Sequence, residues 1–166
     1  MHKDLNNKEA IDKLIKLVKE INIATFCTEL TKVPIQSRPM SVQDIDDQGN
    51  LWFISSAASN KNFEILKDSQ VQLFFANNSS SQYISVYGNA TIYKDRQKID
   101  KLWSPIDNAW FEEGQKDPNV TVIKVTPSDA YYWDTKDGKV ISLIKMAGSA
   151  LFGTTADIGV EGKLKL

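Results

Sequence analysis

The sequence predicts a mainly β chain (α+β), folded as a closed antiparallel barrel with an N-terminal helix and short peripheral helices. Three observations carry this expectation. Short β-prone segments follow one another from residue 23, turn-forming residues divide them, and helical patterns are too few and too irregularly placed to alternate with them. A parallel sheet needs a crossover between each pair of strands, and this order does not supply one.

The elements follow in chain order. Within residues 1–22, Ile11, Leu14, Ile15, Val18 and Ile21 fall on one helical face, and Asn6 followed by Glu9 has the spacing of a capping box. From Ile23 the period changes, and strands are expected at 23–30, 35–45, 51–55, 71–76 and 83–93. The Gly-containing run 46–50 should turn the second of these into the third as an antiparallel hairpin. A Ser-rich loop and a helix of about two turns fit between residues 56 and 69. A further helix is expected at 95–103, then a loop at 104–119 carrying Trp110 and Phe111. Strands at 121–126 and 130–134 are separated by Pro127, a turn at 136–138 leads to a strand at 140–144, and 149–166 reads as a tail that docks on a partner subunit. The 166 residues are the length of one domain.

Composition narrows the function. Hydrophobic residues make up 42% of the chain, and seven Phe, five Tyr and four Trp give ample material for a core. The net charge is −1, and Arg38 and Arg96 are the only arginines, so nucleic acid is not the expected partner. No run approaches the roughly 18 apolar residues of a membrane span, and the N-terminus lacks the apolar stretch of a secretion signal; a cytoplasmic protein is expected. Cys27 and His2 stand alone of their kinds, which excludes an intrachain disulfide and a Cys/His zinc site within one chain. A Ser-His-Asp triad would need His2, on a terminus expected to fray, and Cys27, inward-facing with Thr25, could serve as a nucleophile but is read as a buried structural thiol.

Two features point to an anion. Arg38 lies mid-strand in QSRPMSV, where a permanent cation is costly unless it reaches solvent or meets an anion, and Pro39 beside it marks an edge, a bulge or a ligand approach. The run from Ser55 through Ser59 and Asn60 to Lys61 leads from a strand end into a helix start, combining hydroxyls, free backbone N–H groups and an ammonium as a phosphate cradle does. Capping and solvation are the plainer uses of the same residues. Trp103, Trp110 and Phe111 could stack on a flat ring or simply pack their loop, and Asp107, Glu112 and Glu113 read as solvated loop carboxylates.

These pieces, in this order, resemble the FMN-binding split-barrel superfamily of pyridoxamine 5′-phosphate oxidase, in its general stress protein branch. The resemblance rests on Arg38-Pro39-Met40, on Leu51–Ile54 leading through Ser59 to Lys61, and on YISVYG, LWSP, Trp110-Phe111, Asp117-Pro118 and AYYWD. It implies a six-stranded split barrel that forms a homodimer with FMN between the subunits. Lys61, Asn60 and Ser55 would hold the phosphate, with Arg38 beside it or the ribityl chain. Met40, Ser41 and Ile54 would line the isoalloxazine, Tyr83 would face the cofactor, and Trp103 and Trp110 would reach it from the other subunit. The chain departs from the oxidases at Asn60, where they carry a second basic residue. It departs again in its C-terminal segment, which lacks their substrate-binding Trp and Arg, and this argues against pyridoxamine phosphate oxidation.

The expected function is therefore that of an FMN-binding protein, with flavin-dependent oxidoreductase chemistry in a stress response, the catalytic residues remaining unassigned. The alternatives are a flavin storage or sensing module and a relative that binds F420. Haem is disfavoured because His2 and Cys27 are poor axial ligands.

Overall fold

A computed structural model describes residues 1–135 and 159–166. The apolar helical period forms α1 (Asn7–Ile21), which buries Ala10, Leu14, Leu17 and Val18. The helix stops where Asn22 turns left-handed (φ 65°) and its N–H donates to the Val18 carbonyl at 2.8 Å. At its other end no side chain makes a capping bond, so the expected capping box is absent. Asn6 belongs instead to a short strand, β1 (Leu5–Asn6), which pairs with the C-terminal strand.

The remaining strands are β2 (Ile23–Thr28), β3 (Gln36–Ser41), β4 (Asp44–Ile45), β5 (Leu51–Ser56), β6 (Gln70–Asn77), β7 (Gln82–Tyr93), β8 (Val120–Thr135) and β9 (Gly159–Lys165). Helix α2 (Asn60–Lys67) follows β5, and α3 (Arg96–Leu102) follows β7. All nine strands among the described residues belong to one sheet, so the expected count of six is corrected. Six of them nevertheless form the wall, in the order β5-β8-β7-β6-β2-β3, each pair antiparallel.

The predicted strand 35–45 bends in the middle, and this bend shapes the molecule. Its first part, β3, pairs with β2, while its second, β4, pairs with β5 through the turn at Asp46–Asn50. That turn is the expected one. Asp46 Oδ1 accepts from the N–H groups of Gln48 (3.0 Å) and Asn50 (2.9 Å), and Gly49 takes φ +83°, a conformation that a side chain would oppose. The β3–β4 segment thus spans the two ends of the wall. No ladder joins β3 to β5 among the described residues, so the wall is split along the edge that Arg38–Ser41 presents toward the end of β5.

Alternation fills the interior. Phe26, Phe53, Phe75, Leu73, Ile84, Ile123 and Tyr132 are fully buried, and the rings of Phe26 and Phe53 meet edge to face at 5.3 Å. Thr25 is exposed, and Cys27 shares its side of β2 rather than that of Phe26. The thiol is buried as expected, but on the barrel's outer side, and burial raises its pKa. A second, smaller cluster of Ile99, Leu102, Phe111, Val120 and Val122 packs α3 and the following loop against the wall.

Two expectations near the C-terminus are corrected. The strands on either side of Pro127 are one strand, β8, whose register shifts where Gly88 faces Pro127. Proline has no N–H for the ladder, and the bulge lets the pairing resume beyond it. Within the expected tail, residues 159–165 form β9, antiparallel to β8 and parallel to β1, with Leu164 fully buried. The N-terminus is likewise tied down, since the Lys3 N–H donates to the Glu161 carbonyl (2.7 Å) and Tyr132 Oη to the Lys3 carbonyl (2.9 Å). The turn at 136–138, the strand at 140–144 and residues 149–158 of the tail lie outside the described residues.

Candidate functional site

The split in the wall opens into a cleft of about 380 Å³. Its floor and one side come from Arg38, Pro39, Met40, Ser41 and Gln43 on and after β3. The other side comes from Ile54, Ser55 and Ser56 at the end of β5, then Ser59 and Lys61 at the start of α2. Asp107, Trp110 and Phe111 of the loop after α3 close the rim. Three segments far apart in sequence are held together by the sheet, the buried face of α2 and the second core cluster.

The turn from β5 into α2 is built on a buried amide. Asn62 accepts at Oδ1 from Ser55 Oγ (2.7 Å) and Ser59 Oγ (3.2 Å), and its Nδ2 donates to Thr121 Oγ1 (2.9 Å), which in turn donates to the Ser55 carbonyl (2.9 Å). Ser59 also donates to the Ser56 carbonyl at 2.7 Å. The hydroxyls of Ser55 and Ser59 are thereby spent within the turn. They shape the cradle and are not free donors, which corrects the expectation that Ser55 offers its hydroxyl to a phosphate.

What remains unpaired is the helix start itself. The backbone N–H groups of Asn60 and Lys61 have no hydrogen-bond acceptor among the described residues, as the geometry of a helix N-terminus dictates. The Lys61 ammonium, half-buried at the cleft, also has no hydrogen bond or ion pair among them. Burial, and next the positive charge of Arg38, push its pKa below the usual lysine value, with Glu64 acting in the opposite direction. Among the described residues, no carboxylate makes an ion pair with this cation.

Arg38 lines the same cleft, but its charge is taken. Its Nη2 donates to Glu64 Oε2 at 2.7 Å and its Nη1 to Thr28 Oγ1 at 2.5 Å, the Thr28 hydroxyl donating to Glu64 in turn. Burial pushes Glu64 upward, but the Thr28 and Arg38 hydrogen bonds and the positive charges of Arg38 and Lys32 outweigh it and hold the carboxyl below its usual range. The three charges of Arg38, Lys61 and Glu64 leave a net positive charge at this end of the cleft.

Of the residues expected at the site, Arg38, Met40, Ser41, Ile54, Ser55, Ser59, Lys61 and Trp110 come together in the cleft. Trp110 does so from its own chain, where the expectation had it arriving from a second subunit. Asn60, expected among them, is exposed and does not line the cleft, although its chain neighbours Ser59 and Lys61 do. Tyr83 does not line it: its hydroxyl donates to Asn78 Oδ1 (3.1 Å) near the β6–β7 turn. Trp103 sits one layer behind, its ring 5.6 Å from that of Phe111, because the apolar cluster under the loop takes it up. Asp107, expected to be solvated, is 5% exposed. Sequence reading also passed over Asn62 and Thr121, since a single buried amide leaves no periodic trace.

No described helix is long and apolar enough to cross a membrane, and no group of His, Cys, Asp and Glu among the described residues is arranged to hold a metal ion.

Fold and site together define a split β-barrel with a cleft at its seam, lined at one end by the Lys61 ammonium. Residues 9–157 match the family described as pyridoxamine 5′-phosphate oxidase like, and the chain belongs to that family. Its likenesses include general stress proteins. It is 31% identical to general stress protein 26 of Bacillus subtilis over 37% of this chain and 43% of that protein. It is 28% identical to protein bli-3 of Neurospora crassa over 74% of this chain and 63% of the other, so the match spans less than two thirds of either relative. A solved structure from Jannaschia sp., described as a general stress protein 26, superposes with a TM-score of 0.78 at 23% identity, covering 95% of this chain and 99% of that one. The general stress FMN/FAD binding protein of Xanthomonas citri superposes with a TM-score of 0.65 at 25% identity, covering 77% and 90%.

Proposed function

We propose that this protein binds FMN in the seam cleft, with the phosphate at the start of α2. One observation carries the reading: the Lys61 ammonium and the backbone N–H groups of Asn60 and Lys61, at the helix start beside a cleft that also has an apolar wall, have no partner among the described residues. A phosphate there would receive charge-assisted hydrogen bonds and meet the positive end of the helix dipole. Met40, Ile54 and Phe111 offer the apolar surface that a flat ring requires, and the cleft volume lies within the usual 300–1,000 Å³ of small-molecule sites. The Xanthomonas relative, described as an FMN/FAD binding protein, supports a flavin as the ligand.

When bound, the flavin would supply hydride or electron chemistry, and the chain's own groups would bind and orient it. Arg38, already paired with Glu64, would contribute a fixed dipolar wall and steer the phosphate toward Lys61. Ser41 and the unladdered edge of β3 would offer polar contacts along the chain between phosphate and ring. The protein then serves as a flavin-dependent oxidoreductase, acting as a homodimer. Ile106 and Trp110, 71% and 78% exposed beside the cleft, supply apolar surface for a second copy to cover.

The test is a fluorescence titration with FMN and riboflavin. FMN should bind more tightly than riboflavin, and Lys61→Met should weaken FMN by about 1.5–3 kcal/mol, the range for a charge-assisted bond, while leaving riboflavin unchanged. Equal affinities of the wild-type protein for the two flavins would refute the phosphate assignment. Light scattering across the same titration reports the dimer.

A further inference from the structure

The rim of the cleft holds a second group, a carboxylate, with one oxygen lacking a partner among the described residues. Asp107 is 5% exposed and lines the cleft with Trp110 and Phe111. Its Oδ2 accepts from the Ser104 N–H at 2.8 Å, a bond that opens the short 3-10 turn Pro105–Ala109. Its Oδ1 has no hydrogen-bond or ion-pair partner among the described residues. A buried carboxylate oxygen without a donor is costly, and such groups in native proteins are usually satisfied by water or a ligand. Asp107 and Lys61 line the same cleft with no hydrogen bond or ion pair between them. The cleft therefore has two separate polar stations: one that lacks an anion, at the start of α2, and one that lacks a hydrogen-bond donor, at the rim.

We infer that Asp107 is a specificity-determining residue of this cleft, its Oδ1 accepting a hydrogen bond from a donor on the ligand. The inference rests on the flavin reading. In a flavin the ring imide N–H is such a donor, and the ribityl hydroxyls are the other source of the same chemistry. A carboxylate is suited to the task because it accepts and cannot donate, so a ligand that presents an acceptor there is rejected. The position is held by packing as well as by the Ser104 bond, since Phe111 is buried in the second core cluster a turn further on.

The substitution Asp107→Asn separates the two roles of the side chain. Its amide oxygen still accepts from Ser104, while the other position changes from acceptor to donor. Wild-type and variant proteins are titrated with FMN, with lumiflavin, which keeps the imide N–H but lacks ribityl and phosphate, and with N3-methyl FMN, which lacks the imide N–H. Asp107→Asn should weaken FMN and lumiflavin about 10- to 100-fold, as loss of a charge-assisted bond does. Wild-type protein should bind N3-methyl FMN about 10- to 100-fold more weakly than FMN, and this comparison, made within the wild-type protein, stands even if the variant folds poorly. A loss seen with FMN and N3-methyl FMN but not with lumiflavin supports the inference with a ribityl hydroxyl as the donor. Unchanged FMN affinity in a folded variant overturns the inference and leaves the FMN reading intact. Failure of the wild-type protein to bind any flavin overturns both.

Discussion

Replacing Asn62 by alanine removes the amide on which the β5–α2 turn is built. Asn62 is 3% exposed and joins Ser55, Ser59 and Thr121. After truncation Ser59 keeps its bond to the Ser56 carbonyl and Thr121 keeps its bond to the Ser55 carbonyl. Ser55 Oγ, itself buried, is left with only the 3.4 Å approach of Ser59 Oγ. Two buried hydrogen bonds are lost at about 0.5–1.5 kcal/mol each, with the part-buried one from Ser59 lost besides, and one hydroxyl goes unsatisfied at about 1–3 kcal/mol, so the expected destabilisation is about 2–6 kcal/mol. Urea unfolding followed by tryptophan fluorescence measures it. Thr121→Val removes the same network from its other side, so the double variant should lose less than the sum of the singles by about 1 kcal/mol. A loss below about 1 kcal/mol for Asn62→Ala with an unchanged m-value would refute the claim that this amide holds the turn. FMN affinity should fall with stability, because the same turn aims the start of α2.

Other outcomes can be checked in parallel. Gly88→Ala would set a Cβ 2.3 Å from the Thr126 carbonyl oxygen and 2.9 Å from Pro127 Cα, both backbone atoms that cannot yield easily. It should destabilise by about 3 kcal/mol or more in thermal unfolding, and a fall in Tm of only a degree or so would contradict the close approach. Trp110→Ala should leave the monomer's unfolding free energy within about 0.5 kcal/mol of wild type, since the ring is 78% exposed, yet lower flavin affinity by about 1 kcal/mol. The pH dependence follows from Lys61. Its folded-state pKa lies below that of an unfolded lysine, so the unfolded chain holds the proton to higher pH, and stability from this group rises with pH between the two values. A bound phosphate needs the protonated ammonium, so FMN affinity should fall as pH climbs through the lowered pKa, whereas riboflavin affinity should not; titrations from neutral to alkaline pH read both. At the acid end, Glu64 contributes stability above its unfolded pKa that disappears as pH falls through its depressed folded value, an effect Glu64→Gln should flatten.

Much of the fold was legible because it is written in periods. The α1 face of Leu14 and Val18, the alternation of Phe26 and Phe53, and the Asp46–Asn50 turn are local patterns that hydrophobicity and backbone sterics translate directly into structure. The family resemblance extended this to the barrel and to the residues around its seam. Where the reading failed, a non-local partner decided. β9 carries little hydrophobic signal, with Gly162 between Val160 and Leu164, and becomes a strand because β8 and β1 offer edges on both sides of it. Pro127 looked like an end and became a bulge because Gly88 leaves room opposite it.

The site shows the same division. The sequence alone determined that a cationic, Ser-rich turn would lead into a helix beside a strand bearing Arg38, since turn and helix chemistry are local. Only the tertiary structure decided what each group is free to do. Glu64 on α2 reaches Arg38 and takes its charge, Asn62 takes the hydroxyls of Ser55 and Ser59, and Lys61 is left without an ion-pair partner among the described residues. It also brought Asp107 from a loop some fifty residues away to the rim of the same cleft and buried it with one oxygen unpaired among the described residues. Pairing between charges and dipoles depends on distances of a few ångström, and those distances exist only once the sheet has set three remote segments side by side.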